Sequence, residues 1–184
     1  MRVVGGRLKG RNLASPSLRE IRPTADRLRE SLFNILIHAY DDPIRDARVL
    51  DLFAGTGALA IEAISRGAAF ALFVDNGTEA RALLRNNVEA LGLGGMTKVF
   101  RRDATDLGAA HPVEPFSLVL LDPPYHMKLA EKALASLRDG GWLKPNALLV
   151  VEEAKAAEFV APAGFEELER RVYDDTEFVF LRSA

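Results

Sequence analysis

Cysteine is absent from this 184-residue chain, and that closes off several chemistries at once. There can be no disulfide framework, no thiolate zinc site and no thiol redox couple. Every mechanism that begins with thiolate attack, such as covalent addition to C6 of a pyrimidine, is excluded too. Histidine is scarce: His38, His111 and His126 are scattered, make no metal-ligating spacing, and read as surface or helix-end residues, so no metal site is expected. No apolar run approaches the roughly 20 residues of a membrane span. The opening Met1-Arg-Val-Val-Gly-Gly-Arg7 lacks the apolar core of a signal peptide. The expected setting is therefore the cytoplasm, with no membrane partner. Repeats, low-complexity runs and long linkers are also missing.

What is present is ordinary in amount and uneven in place. Hydrophobic content of 48% with 27% charged residues suits a soluble globular chain, and the length suits one domain with a small appendage. The net charge of −2 hides an asymmetry: residues 1–30 hold eight basic and three acidic side chains, whereas 31–184 hold sixteen and twenty-three. A basic arm on a mildly acidic body points to an arm that touches a polyanion. The chain accordingly divides into a basic extension, 1–40, and a main domain, 41–184.

Within the arm, β-leaning stretches at 2–4 and 10–14 flank Gly5-Gly6 and Gly10, which predicts a hairpin. Arg7, Lys9 and Arg11 alternate along it, so a twofold period would put them on one face. Arg22-Pro23-Thr24 then opens a helix with Thr24 as its cap and Asp26 near its positive end. Leu28, Leu32, Ile35, Leu36 and Ala39 recur at helical spacing to about residue 40.

From residue 48 the pattern alternates. Strands are predicted at 48–52, 70–74, 97–101, 116–121 and 147–151, with helices at 57–66, 78–91 and 127–137 between them. Two further β-like runs, 165–173 and 177–182, read as an antiparallel pair at a sheet edge. The alternation predicts a mostly parallel, seven-stranded α/β sheet with helices on both faces.

Four predicted strands end in an acid: Asp51, Asp75, Asp103 and Asp122. Ligands of open α/β sheets bind beyond the carboxyl ends of the strands. After the first strand, Asp51-Leu-Phe53-Ala54-Gly55-Thr56-Gly57 lets the backbone come close to a ligand and offers a helix N-terminus. Gly55-x-Gly57-x-x-Ala60, with Asp75 twenty residues beyond Gly55, also fits a nicotinamide dinucleotide fingerprint. Against that, Asp51 suits a cationic ligand better than a pyrophosphate. S-adenosylmethionine, with its ammonium, sulfonium, ribose and adenine, fits the charges better.

The fourth strand supplies the second argument. Asp122-Pro123-Pro124-Tyr125 follows the apolar run 116–121, and prolines cannot continue a central strand. An acid and an aromatic ring therefore leave the sheet together. Such a pair suits methylation of an exocyclic amino group on a planar base. The carboxylate and a proline-region carbonyl accept its N–H bonds and keep the nitrogen lone pair available, while the ring stacks. The plainer alternative is a strand-to-helix turn in which Asp122 caps the helix and Tyr125 packs.

With these residues in view the chain resembles the class I S-adenosylmethionine-dependent methyltransferases, and more closely the bacterial 16S ribosomal RNA guanine-N2 methyltransferases of the RsmD type. Arg2-Val-Val-Gly-Gly-Arg-Leu-Lys-Gly10 and Arg22-Pro-Thr-Ala-Asp-Arg-Leu-Arg-Glu-Ser-Leu-Phe-Asn34 carry the most specific part of that likeness. The stretches 51–57 and 122–125 are shared with many amino-group methyltransferases, including DNA adenine-N6 enzymes. Tyr173-Asp174-Asp175-Thr176 departs from the family's more usual Tyr-Gly-Asp-Thr. The resemblance implies a Rossmann-like fold in which Asp51 and Phe53, Ala54, Gly55, Thr56 and Gly57 hold the methionine end of the cofactor. Asp75 with Asn76 would hold its ribose, and Asp103 with Ala104 its adenine. Asp122, Pro123, Pro124 and Tyr125 would form the catalytic segment, with Tyr125 stacking on a flipped base. Arg7, Lys9, Arg11, Arg19 and Arg22 would grip the phosphates of 16S rRNA within a small-subunit particle, the enzyme acting as a monomer. A DNA adenine-N6 methyltransferase and a non-catalytic, RNA-binding assembly factor remain the rival readings. A glutamine methyltransferase is disfavoured because those sites usually begin with Asn.

Overall fold

The computed structural model describes residues 1–16 and 23–184 of the chain. Arg19 and Arg22, both expected at the RNA surface, lie outside the described residues. After helix α1 (Pro23–Ala39) the chain runs β1 (Arg48–Leu52), α2 (Ala58–Ser65), β2 (Phe70–Val74), α3 (Thr78–Ala90) and β3 (Thr97–Phe100). It continues through β4 (Phe116–Leu121), α4 (Leu129–Gly140), β5 (Leu143–Ala154), β6 (Phe165–Tyr173) and β7 (Thr176–Ser183). Helix α1 starts at Pro23, so Thr24 lies inside its first turn rather than ahead of it.

The seven strands form one sheet in the order β3-β2-β1-β4-β5-β7-β6. β1 to β5 are parallel to their neighbours, whereas β7 runs antiparallel to both β5 and β6. This is the Rossmann-like arrangement, with the strand order reversing between β1 and β4 so that a crevice opens beyond their ends. Side-chain alternation divides the core. Val49, Leu118, Leu120, Val150, Phe178 and Phe180 face α1, α2 and α3. Leu50, Val119, Leu121, Leu149, Val179 and Leu181 face α4 and Trp142. Burial on both faces explains why the central strands read as continuous apolar runs.

Strand β5 is longer than the predicted 147–151. Its start pairs with β4 through an irregularity in which Phe116 opposes Leu143 and Leu118 opposes Leu148. Pro145 and Asn146 sit in that irregular stretch, Asn146 with a left-handed φ of 58°; such residues argue against a strand when read alone. Helix α4 starts two residues later than predicted because Lys128 is left-handed ahead of it.

The predicted N-terminal hairpin exists in minimal form. Arg2 and Asn12 form a single antiparallel bridge, flanked by Val3 N–H to the Arg11 carbonyl at 3.0 Å and Leu13 N–H to the Met1 carbonyl at 2.9 Å. Residues 5–10 form a turn rather than strand, so the twofold alternation expected of Arg7, Lys9 and Arg11 does not hold. The arm is bound to the body by side chains of α2 and α3. The fully buried Glu62 accepts Val4 N–H at 2.9 and 3.2 Å through its two oxygens. Ser65 Oγ donates to the Gly5 carbonyl at 2.6 Å and accepts Leu8 N–H at 2.9 Å. Asn87 accepts Ala14 N–H at 2.7 Å and donates to the carbonyls of Ala14 and Thr56. A Cβ at Gly6 would lie 2.0 Å from the Ser65 carbonyl oxygen, so glycine is required for this approach. Val3, Leu8 and Leu13 are buried in the same cluster as α1 and α2.

Phe180 is fully buried and stacks on Tyr40 at 5.1 Å between ring centroids. Its replacement in Phe180→Ala is expected to destabilise the fold by about 3–5 kcal/mol. Urea denaturation checks this as a lower midpoint at unchanged slope.

Candidate active site

The carboxyl ends of β1, β4 and β5 surround a cleft of about 570 Å³, floored by Asp51, Asp122 and Glu152. A second hollow of about 470 Å³ adjoins it, bounded by Asp75, Asn76, Pro123 and Pro124. Phe53, Gly55, Asp122 and Tyr125 border both. The structure thus brings together two of the predicted groups, the glycine loop and the Asp-Pro-Pro-Tyr segment, at one junction. Asp103 and Ala104 line neither hollow: Ala104 is buried, and Asp103 is exposed with its Oδ1 accepting the N–H and hydroxyl of Thr105. Those two bonds hold the Asp103 carboxyl below the usual carboxylate range.

The loop after β1 owes its shape to backbone that few residues tolerate. Phe53, Gly55 and Gly57 all have positive φ. At Gly57 a Cβ would also meet Leu84 Cδ1 at 2.3 Å, so only glycine lets α2 start there. Asp75 holds the loop, its Oδ2 accepting Gly55 N–H at 2.9 Å and its Oδ1 accepting Gly77 N–H at 2.8 Å. Each oxygen keeps a lone pair for a ligand hydroxyl.

Asp51 is 1% exposed. Its Oδ2 accepts Ala60 N–H in the first turn of α2 at 3.1 Å, while its Oδ1 is enclosed without a hydrogen-bond partner. An enclosed carboxylate oxygen with no donor is costly. Burial pushes the Asp51 carboxyl well above its ordinary range; the Ala60 bond opposes this, and the charges of Asp122 and Asp75 add to it. A cationic group reaching the cleft floor would meet this oxygen, so the residues fit a ligand that carries an ammonium.

Asp122 is exposed to solvent along the junction of the two hollows. Burial, followed by the charge of Glu153, pushes its carboxyl up to about 7. Water in the open cleft tempers that rise, and a ring that displaced the water would restore it. Glu152, half-buried on β5, is raised by burial and then by Asp122, with the Arg29 guanidinium opposing. Tyr125 is 40% exposed, with its hydroxyl 3.3 Å from Thr176 Oγ1. Its ring stands edge-on to His126, with centroids 6.3 Å apart.

The turn between β6 and β7 forms a wall of the cleft. Asp174 takes the left-handed φ of 53° that a glycine would adopt there, a conformation Asp tolerates better than most residues. The turn therefore survives the departure from Tyr-Gly-Asp-Thr.

Sequence reasoning missed Glu152 altogether and gave no cleft position to Arg29; both line the cleft. Glu152 had a visible signal, since it is a fifth acid at the end of an apolar strand. Arg29, 5% exposed, bonds Asp26 at 2.9 Å and the Arg2 carbonyl, with Glu62 at 4.0 Å. Arg27, on the same helix, is exposed and makes no ion pair among the described residues. Of the arm's cations, Arg7, Lys9 and Arg11 are exposed. Arg7 lies 3.7 Å from the Met96 sulfur and Arg11 donates to the Ala90 carbonyl at 3.1 Å.

A family model described as Conserved hypothetical protein 95 matches residues 1–182. The chain is 39% identical over 152 residues to ribosomal RNA small subunit methyltransferase D of Escherichia coli strain K12, covering 83% of this chain and 74% of that protein. It is 35% identical over 164 residues to the protein of the same name in Haemophilus influenzae, covering 88% and 83%. Among solved structures, yhhF of E. coli superposes with a TM-score of 0.83 at 32% identity, covering 100% of this chain and 97% of that one. Hypothetical protein TTHA0928 of Thermus thermophilus gives 0.74 at 33%, covering 98% of each.

Asp51 holds its proton more tightly folded than unfolded, so its contribution to stability falls as pH rises above the ordinary Asp range of about 4. Asp51→Asn removes that loss. The stability difference, variant minus wild type, is expected to grow from about pH 5 to about pH 8 in thermal melts, while affinity for a cationic cleft ligand drops.

Proposed function

The chain belongs to the Conserved hypothetical protein 95 family, and from that premise we propose that it transfers a methyl group from S-adenosylmethionine to the N2 amino group of a guanine in small-subunit ribosomal RNA. The observation that carries this reading is the position of Asp122 and Tyr125 at the junction of the two hollows, where an amino group and a methyl donor would meet. The names of the E. coli and H. influenzae relatives support the choice of ribosomal RNA.

S-adenosylmethionine, when bound, supplies a sulfonium methyl group as the electrophile. Asp51 and the 53–57 loop would hold its methionine end, and Asp75 and Asn76 its ribose; the adenine contact implied for Asp103 and Ala104 has no counterpart among the residues lining the two hollows. Asp122 and the Pro123 carbonyl accept the N–H bonds of the target amino group, which keeps its lone pair out of the ring and aimed along the transfer line. Tyr125 stacks on the flipped base. These contacts would hold the nitrogen in line with that methyl group, and the amino proton would pass to water in the open cleft after transfer, so no strong base is required. Most of the acceleration comes from positioning.

Residues 1–40 act in this reading as the RNA-contacting extension, with Arg7, Lys9 and Arg11 on phosphates. The two rivals fare worse. The names of the E. coli and H. influenzae relatives favour ribosomal RNA over a DNA adenine. A non-catalytic assembly factor has no need of a carboxylate held at the cleft junction. The cytoplasm is the site of action that goes with an rRNA substrate.

Methyl transfer from labelled S-adenosylmethionine to hypomethylated small subunits, protein-free 16S RNA and duplex DNA tests the reading. N2-methylguanosine, identified by mass, is expected from a ribosomal acceptor; label in DNA adenine would overturn the substrate. Asp122→Ala is expected to lose turnover by more than about 100-fold with cofactor affinity nearly intact. Activity within tenfold of wild type would remove Asp122 from its role. Because ionised Asp122 is needed, the rate is expected to rise with pH through about 7 and then level off.

The arm is tested by side-chain changes rather than by truncation, since Val3, Leu8 and Leu13 belong to the core. Arg7→Ala with Lys9→Ala is expected to weaken RNA binding and to reduce the slope of log K against log salt by about 1.5. An unchanged slope would reject the phosphate contacts.

A further inference from the structure

We propose that Glu152 selects guanine, by accepting the N1–H of the base whose 2-amino group Asp122 orients. This rests on the guanine-N2 reading above and supplies it with a recognition residue.

The geometry begins in the sheet. β4 and β5 are parallel, and their last paired residues are Leu121 and Val151. The next residues, Asp122 and Glu152, therefore stand side by side on strands about 4.8 Å apart. By alternation they share the sheet face of Leu120 and Val150, on which α1 and α2 pack. Both carboxyls line the larger cleft. Neither accepts a hydrogen bond or forms an ion pair among the described residues, whereas the buried acids Glu62, Glu153 and Glu177 all do. Arg29 lowers the charge cost of Glu152 but is itself committed to Asp26 and the Arg2 carbonyl. Beside them on the cleft floor, Asp51 Oδ1 is enclosed and unpartnered. The cleft thus presents adjacent carboxyl acceptors that no protein donor occupies among the described residues.

A guanine supplies those donors on one edge. Its N1–H and N2–H groups are neighbours, so Asp122 on N2–H leaves the adjoining oxygen of Glu152 facing N1–H. Adenine fails this test, since its N1 is an acceptor and would set a lone pair against the Glu152 oxygen. The C=O oxygen of the Glu152 carboxyl accepts in either protonation state, so recognition does not depend on its charge. Once a base is seated and water is excluded, a Glu152 oxygen left without its donor is costly, and discrimination of that sort is the strong kind.

The experiment places 2-aminopurine at the methylated nucleotide of the RNA. This base keeps the 2-amino group but lacks N1–H. Wild type is expected to use it at least about 100-fold less well than guanine in kcat/KM. Glu152→Gln can turn its amide NH2 toward the bare N1, so the guanine to 2-aminopurine ratio is expected to narrow at least tenfold with cofactor affinity unchanged. A wild-type ratio within threefold overturns the inference without any variant. Equal loss on both bases in Glu152→Gln also overturns it, leaving Glu152 as a positioning residue for Asp122. In both cases guanine-N2 methylation by wild type would stand; its absence would instead sink the function and the inference together.

Discussion

The site depends on the parallel register of three central strands. Asp51 lies opposite Leu120, and Leu121 lies opposite Val151, so Asp51, Asp122 and Glu152 all emerge on one face at one end of the sheet. A slip of one residue between β4 and β5 would send one of the two acids to the opposite face, among α4 and Trp142. The acids do not hold this register. Burial first, and then the repulsion of neighbouring carboxylates, makes this cluster oppose folding, as the raised carboxyls indicate. The apolar residues preceding them, buried on both faces, hold it instead. The fold carries an unfavourable cluster because the strands beneath it are secured independently, a common way for strain at functional sites to persist.

A second arrangement separates charge. The acidic cleft and the basic arm are both fastened to α2, one through Asp51 and the Ala60 N–H, the other through Glu62 and Ser65. One short helix therefore sets the distance between a basic surface and an acidic hollow. Under the proposed function, an RNA backbone would be held at the arm and kept from the cleft floor, leaving the hollow to an uncharged ring.

Much of this was legible in the residues. The ranges of β1, β2 and β4 match the predicted ones because apolar runs bounded by acids, glycines or prolines leave little freedom in their ends. The two-residue turn joining β6 to β7 was equally plain. β5 was underestimated because Pro145 and Asn146 occupy an irregular pairing that only the partner strand reveals. The arm's alternation was misread because Gly6 and Gly10 turn the backbone back before a strand can form. At the site, Asp51 and Asp122 were legible as strand-end acids. That Asp75 spends a lone pair of Oδ2 on the Gly55 N–H was not, since that bond depends on how two loops meet. Glu152 lay within reach of the same rule and was missed because the count of acids stopped at four strands.

The strand order carries a consequence for how the chain reaches its native state. β7 lies between β5 and β6, and it supplies Phe178 and Phe180 to one half of the interior and Val179 and Leu181 to the other. During synthesis, the parallel half of the sheet can assemble as it emerges, but neither half of the interior closes until β7 has left the ribosome. The N-terminal arm waits as well, since its clamps reside on Glu62, Ser65 and Asn87. The arm therefore waits only for α2 and α3, whereas the β5 edge stays open from the time it emerges until β7 follows, and the sheet closes in a late step.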